Sequence, residues 1–426
     1  MKGSAKARAG QCVGTAGIRQ GAVKGNGWGC RFAWCLLLLL VWGCDEPPRL
    51  ERFQTGADQV FDEPYISWIR GKKVGLITNQ TGVTEGLKPV SELLAESKEV
   101  QLTTLFAPEH GLYGQEPAGA NVPNQPHVYS LYGNGTGHVL TPEMLKDVEV
   151  LIFDVQDVGA RFYTYISTMN EAMATAAQMR IPFLVLDRPD PIDGSRVEGP
   201  VLEKIFRSFV GTHWIPIRYG MTPGELARLL KAERGLDLVL WVVPLKGWRR
   251  ASYYESTGRQ WIPPSPNMPT VFTAVVYPGT CLIEGTNLSE GRGTTRPFEL
   301  IGAPWLNADV LAVLLNNDNL PGVRFRAQPF TPSFSKYQGE TCQGIQIHVL
   351  DRDQFRPIET ALYIIREVLN LHPNEFRFQN ETFDRLAGNS WIRRMLTESR
   401  AVEAVANRWQ PELNDFKKRR QQYLLY

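Results

Sequence analysis

Two stretches of this chain concentrate side chains able to move protons or grip a polar ligand. The first, Ala107 to Gln115 (APEHGLYGQ), sets Glu109 and His110 in a tight Pro-Glu-His-Gly turn. The second, Glu284 to Glu299 (EGTNLSEGRGTTRPFE), carries the acids Glu284 and Glu290, the guanidinium of Arg292, the amide of Asn287 and four hydroxyls, Thr294 among them. No apolar period of helix or strand runs through it, so it is either a solvated loop or the lining of a site. A second polar cluster after a strand-like run favours the lining. Paired carboxylates suit the cleavage of a glycosidic bond: one acid protonates the leaving oxygen, and the other assists attack or stabilises the oxocarbenium-like centre. Glu109 and Glu290 are the candidate pair, with His110 and Arg292 beside them as groups able to shift their pKa values.

Other chemistries find less support. Residues 72–82 read KKVGLITNQTG, without a GxGxxG, and no GxxxxGK[ST] occurs, so no nucleotide cofactor is implied. Gly291 to Thr295 (GRGTT) resembles a phosphate cradle but lacks the lysine and the apolar helix that should follow. Gly194 to Gly199 (GSRVEG) is not a strand-to-helix nucleophile elbow. A metal site on Glu109, His110 and Asp154 would use adjacent ligands and has no HxxxH or HxH spacing behind it, so no metal is expected.

Short apolar runs must position these residues. Strands are predicted at 73–78, 100–106, 148–155, 181–186 and 236–243, with helices at 89–95, 163–180 and 222–234. The last opens on Thr222-Pro223-Gly224-Glu225, a capping box. Continuous apolar strands separated by helices imply a mostly parallel sheet covered on both faces. The expected fold is therefore α/β: a Rossmann-like layered domain over 64–265, then a smaller α+β domain over 266–426. In the second, strands are predicted at 271–277, 323–330 and 344–350, and helices at 308–316, 358–371 and from Trp391 onward. Ligands of open parallel sheets bind beyond the carboxyl ends of the strands. Those ends carry Glu109, then Asp154, Asp157 and Arg161, then Asp187 to Asp190. Tyr113, Phe162, Tyr163 and Tyr165 beside them are candidate stacking faces for a sugar ring.

The start of the chain has another character. Its first 43 residues hold six basic residues and no acid, and end in the apolar run Phe32 to Trp42. That run is too short to span a bilayer and fits a secretory signal. Val41-Trp42-Gly43-Cys44 resembles a lipobox, with Cys44 as the lipidated residue, and 44–63 reads as a tether. The expected protein is exported and held on the envelope side of a bacterial membrane by lipid alone. Removal of residues 1–43 turns the net charge from +2 to −4, which argues against nucleic acid as a partner. Cys281 and Cys342 are then the cysteines left besides Cys44, read as buried thiols in preference to a disulfide.

At several of these places the chain resembles a known family. FAPEHGLYGQ, FDVQDVGARFYTY, LDRPDPIDGSRVEGP, YGMTPGELA, PSPNMPT and EGTNLSEGRGTTRPFE are similar to motifs of the NamZ exo-β-N-acetylmuramidases, over roughly residues 65–426. The resemblance implies a peptidoglycan glycosidase that releases N-acetylmuramic acid (MurNAc) from non-reducing glycan ends. It implies a Rossmann-like domain paired with a smaller one, and a cleft between them. The family's catalytic glutamate falls on Glu109, and its Gly-rich motif on Ser289 to Thr294. As substrate-binding residues we expect Asn287, Arg292, Asp154, Asp157, Arg161, Tyr163, Glu284 and Thr294, beside catalytic Glu109, Glu290 and His110. Arg292 and Arg161 are the candidates for reading the lactyl carboxylate that separates MurNAc from GlcNAc. Retaining, inverting and substrate-assisted courses all remain open, and the rival reading is a non-catalytic cell-wall-binding lipoprotein on the same fold.

Overall fold

The chain joins the fold sooner than its proline-rich start suggests. The computed structural model describes residues 52–117, 120, 128–132 and 140–426; the segment 1–43 read as a secretory signal, and Cys44, lie outside them. Within the stretch expected to be a tether, helix α1 (Gly56–Gln59) is fixed by a reciprocal capping box between Thr55 and Asp58. Phe53 is buried, and Gln54 bridges to Lys246. Residues 53–63 are therefore part of the folded body, because the carboxylate of Asp58 and the ring of Phe53 both find partners there.

The apolar runs that follow become parallel strands. In chain order they are β1 (Lys73–Thr78), α2 (Val90–Glu96), β2 (Gln101–Ala107), β3 (Val128–Ser130), β4 (Val150–Asp154), α3 (Tyr165–Met179) and β5 (Phe183–Leu186). An antiparallel pair, β6 (Glu198–Val201) and β7 (Pro216–Arg218), then precedes α4 (Pro223–Glu233) and β8 (Leu240–Val243). The six-stranded sheet has the order β3-β2-β1-β4-β5-β8, with every neighbouring pair parallel. The chain runs outward from β1 on one side, then returns to β4 and runs outward on the other. Loops leaving β1 and β4 consequently part in opposite directions and open a crevice. Helix α4 starts as its sequence predicts, with the Thr222 hydroxyl accepting from the Glu225 amide and the Glu225 carboxylate from the Thr222 amide.

The second half is smaller and mixed. It comprises α5 (Val271–Thr280), β9 (Leu300–Ala303), α6 (Ala308–Asn317), β10 (Val323–Ala327), β11 (Gln343–Val349), α7 (Pro357–Leu371), α8 (Asn380–Ala387), α9 (Trp391–Thr397) and α10 (Val402–Arg420). Its three-stranded sheet is antiparallel, in the order β10-β11-β9. The strand predicted at 271–277 is instead α5, capped by the Thr270 hydroxyl. VFTAVVY is rich in β-branched and aromatic residues, but nearly every side of it is buried. Burial on all faces suits a core helix as well as a strand, and periodicity cannot separate the two. The short strands β3, β6, β7 and β9 are additions that three or four residues could not announce.

One hydrophobic core runs from Ile77 to Phe416, so α5, α7 and α10 pack in the same interior as α3 and α4. Helices α5 and α7 cross closely at Gly279, where an added Cβ would lie 1.9 Å from the Pro357 carbonyl oxygen. Gly279→Ala must therefore push two backbones apart. It should lower stability by about 1–3 kcal/mol, measured by urea denaturation; a variant as stable as the parent would show that this crossing is loose.

Candidate active site

The turn after β2 delivers Glu109 to the carboxyl edge of the sheet. His110 takes a left-handed backbone, φ +72°, to make that turn. Two hydroxyls orient the buried Glu109 carboxylate: Thr164 Oγ1 donates to Oε2 at 2.5 Å, and the Tyr132 phenol donates as well. Thr164 stands immediately before α3, so the helix that covers the sheet also fixes the acid. Tyr165, at the head of α3, donates to the Pro264 carbonyl at 2.5 Å and ties the PSPNMP segment to the same corner. His110 Nδ1 lies 2.7 Å from the Glu116 carbonyl and so carries the proton. Burial pushes the pKa of His110 below its ordinary value, which favours the neutral ring.

The facing wall comes from the second half. Helix α5 contributes Tyr277, the 3-10 turn Cys281–Gly285 contributes Glu284, and the Gly-rich loop contributes Arg292. Arg292 Nη2 binds Glu284 Oε1 at 2.7 Å, its Nε lies 3.5 Å from Glu290 Oε1, and its guanidinium sits 4.9 Å from the centre of the Phe298 ring. Phe298 has φ +64°, so left-handed backbone occurs on both walls. Burial raises the pKa of Glu284, against the pull of Arg292. Between the walls lies a cavity of about 300 Å³, lined by Glu109, His110, Tyr163, Asn267, Glu284 and Arg292 among others.

Not every expected residue reaches this cavity. Glu290 is buried behind Arg292, between that guanidinium and the Lys336 ammonium at 3.1 Å, and Glu284 is the second acid on the lining. Arg161 is a correction. Its guanidinium is fully buried and donates to the carbonyls of Pro200, Ile215 and Leu386 at 2.9, 3.0 and 2.9 Å. Burial pulls its pKa down to about 9. It staples β6, the approach to β7 and α8, and does not face a ligand. Asp154 is committed to Arg188 at 2.6 Å. Asp157 accepts from the Gly159 amide and the Tyr219 phenol, and burial raises its pKa to about 7. Asn287 braces the backbone of Glu375 and Arg377. Thr294 caps its own loop through the Gly291 carbonyl and borders a different, open groove. Of the aromatic candidates, Phe162 and Tyr163 line the cavity; Tyr165 acts behind it, and Tyr113 is 66% exposed elsewhere. Cys281 and Cys342 are buried free thiols, and Cys281 is on the lining.

Models of the two domains of the exo-β-N-acetylmuramidase NamZ match this chain, the N-terminal one over residues 74–272 and the C-terminal one over 275–426. The chain belongs to the NamZ family. It is 48% identical over 389 residues to the peptidoglycan β-N-acetylmuramidase NamZ of Bacillus subtilis (strain 168), covering 90% of this chain and 93% of that relative. Two crystal structures of DUF1343-family proteins from Bacteroides fragilis NCTC 9343 share the fold. One is 40% identical with a TM-score of 0.81, over 89% of this chain and all of its own. The other is 31% identical with a TM-score of 0.71, over 88% and 99%. The expected architecture, a mostly parallel sheet domain followed by a smaller mixed one, is the architecture observed.

Sequence reasoning missed the groups that hold the acids. Thr164 stood within FDVQDVGARFYTY without being singled out, Tyr132 had no motif around it, and Ser265 and Asn267 on the lining were visible only as part of PSPNMP. Lys336, from an unremarkable SFSKYQG, is the most connected of all. Its ammonium donates to the carbonyls of Ile283, Glu284 and Leu288 at 3.2, 3.1 and 2.9 Å as well as to Glu290. One side chain thus clamps both the turn that carries Glu284 and the loop that carries Arg292. Removing one partner of a buried pair leaves the other charge uncompensated. Lys336→Met should therefore cost about 3 kcal/mol in urea denaturation. A double-mutant cycle with Glu290→Gln should show a coupling of about 1–3 kcal/mol; additive losses would dissolve the clamp.

Proposed function

We propose that this chain is an exo-acting glycoside hydrolase that releases N-acetylmuramic acid from the non-reducing ends of peptidoglycan glycan fragments. The observation that carries the reading is Glu109, held by two hydroxyl donors inside a cavity whose facing wall offers a second acid and a guanidinium. A volume of about 300 Å³ is at the small end of ligand sites and suits one terminal sugar better than a run of sugars. The family membership and the named activity of the Bacillus subtilis relative point the same way.

In this reading Glu109 is the general acid that gives its proton to the leaving glycosidic oxygen. Glu284 is the second carboxylate on the lining and steadies charge at the anomeric centre, or orients the acetamido group of MurNAc for attack. Tyr163 and Phe162 supply apolar faces. Arg292 is the strong cation among the lining residues. Two of its nitrogens are held by Glu284 and Glu290, and Nη1 has no partner among the described residues. That nitrogen is the donor for the lactyl carboxylate, a one-ended contact.

A chromogenic β-MurNAc glycoside should be hydrolysed and its GlcNAc counterpart should be a poor substrate. Glu109→Gln should lower kcat by about 10²- to 10⁴-fold. A near-normal rate would remove Glu109 from the role, and saturable binding of muropeptides without turnover would make the protein a binder only. The substrate also bears on location. We propose that residues 1–43 direct export and that Cys44 carries lipid, which would keep the site beside wall fragments on the envelope side. Cys44→Ala should move the protein from the membrane fraction to the soluble one; a parent already soluble and unprocessed would refute the anchor.

A further inference from the structure

The crevice opened by the reversal of strand order at β1 and β4 is a second cavity, distinct from the one that holds Glu109. It measures about 390 Å³ and is lined by residues that follow β1, β4 and β5, together with the 254–262 segment and Phe53. The two cavities share a wall. Ile262 lines the crevice and Ser265 the catalytic cavity, and Gln80 Nε2 pins the carbonyl of Pro263 between them at 2.7 Å.

The floor of the crevice is built from buried groups with spare valence. Arg188 is 5% exposed; its Nε is taken by Asp154 and its Nη2 by the Val83 carbonyl, while Nη1 has no partner among the described residues. Gln156 is 3% exposed; its Nε2 donates to the carbonyls of Asp157 and Pro189, and its Oε1 has no partner among them either. Buried polar groups are ordinarily satisfied. A donor and an acceptor left over on the lining of one cavity match a ligand that both accepts and donates, as an amide or a pair of hydroxyls does. Gln260, exposed on the same lining, adds a neutral amide, while the hydroxyls of Thr81, Thr84 and Thr257 already donate to Asn79 Oδ1 and to the carbonyls of Lys88 and Tyr254.

Charge rules on the ligand class. The crevice's two arginines already face acids: Arg188 is paired with Asp154, Arg259 with Asp58 at 2.6 Å, and Glu85 adds a further acid on the rim. A carboxylate or phosphate entering here would find both guanidiniums already neutralised by acids, and an apolar molecule would strip the polar part of the walls of water. We propose that this crevice is a second binding site, built for a neutral N-acetylated saccharide. The choice of sugar rests on the glycosidase reading above; the site itself does not.

The probe is the β-1,4-linked disaccharide of N-acetylglucosamine, and binding is measured by calorimetry on the full chain. Thr84→Trp and Gln260→Trp each place bulk in the crevice, and Gln260 is exposed, so the second variant keeps the test alive if the first misfolds. Both should weaken disaccharide binding about tenfold or more, the worth of a hydrogen bond to a charged group. Hydrolysis of the small MurNAc glycoside should stay within about twofold of the parent. Equal affinity in parent and variants, or no binding to the parent at about 10 mM sugar, would overturn the site. Longer glycans separate the two sources of the saccharide. If the crevice holds downstream sugars of the strand being cut, the variants lose kcat/KM on long fragments alone. If it holds a separate molecule, kcat/KM is indifferent to fragment length while disaccharide binding is still lost. A protein that binds the disaccharide but hydrolyses nothing would refute the glycosidase reading and leave the crevice standing.

Discussion

Four charges packed together, the buried Glu290 with the half-buried Glu284, Arg292 and Lys336, hold one wall of the Glu109 cavity in place. Each is expensive to remove from water alone, and together they balance. Their attraction is strong because little solvent intervenes, yet stability is not the main result. The four lie in three loop segments that contribute no strand or long helix to the wall. Backbone bonds from distant segments also hold the turn 281–285 and the loop 289–294, Gln379 to Gly285, Gly302 to Ser289 and Ser333 to Gly293, but they do not orient the side chains of Glu284 and Arg292. Pairing gives these loops one arrangement, and it presents Glu284 and one end of Arg292 to the cavity while keeping Glu290 and Lys336 behind.

The opposite wall is held by regular structure. Glu109 leaves the end of β2, and its carboxylate is oriented from the start of α3. A sheet strand and the helix lying on it thus fix one acid from two directions. The cavity lies between a rigid wall built from the layered domain and a charge-locked wall built from the smaller one. The shared core from Ile77 to Phe416 joins the two.

Much of this was legible in the residues. The parallel strands were continuous apolar runs, the start of α4 was written as Thr222 and Glu225, and the two polar clusters stand on facing walls. What the sequence concealed were partners distant along the chain. Arg161 looked like a ligand reader because it follows a charged strand end, but its three acceptors are carbonyls 39, 54 and 225 residues away. Backbone carbonyls have no signature in side-chain types. Lys336 was silent for the same reason, since three of its four contacts are main-chain oxygens. Glu290 had the composition of a catalytic acid, and only the packing of Phe298 and Lys336 around it shows that it faces inward. The helix α5 was misread because a segment buried on every side has no face to reveal its period.

Cys281 looks onto the Glu109 cavity, yet burial raises its thiol well above the usual value, so little thiolate is present near neutral pH. Oxidants and electrophiles react with thiolates, and here they would meet a buried, protonated sulfur beside Tyr277 and Glu284. The sulfur fills space there as a free thiol, as Cys342 does elsewhere. Thiol-directed reagents, often used to map enzyme clefts, would pass this one by.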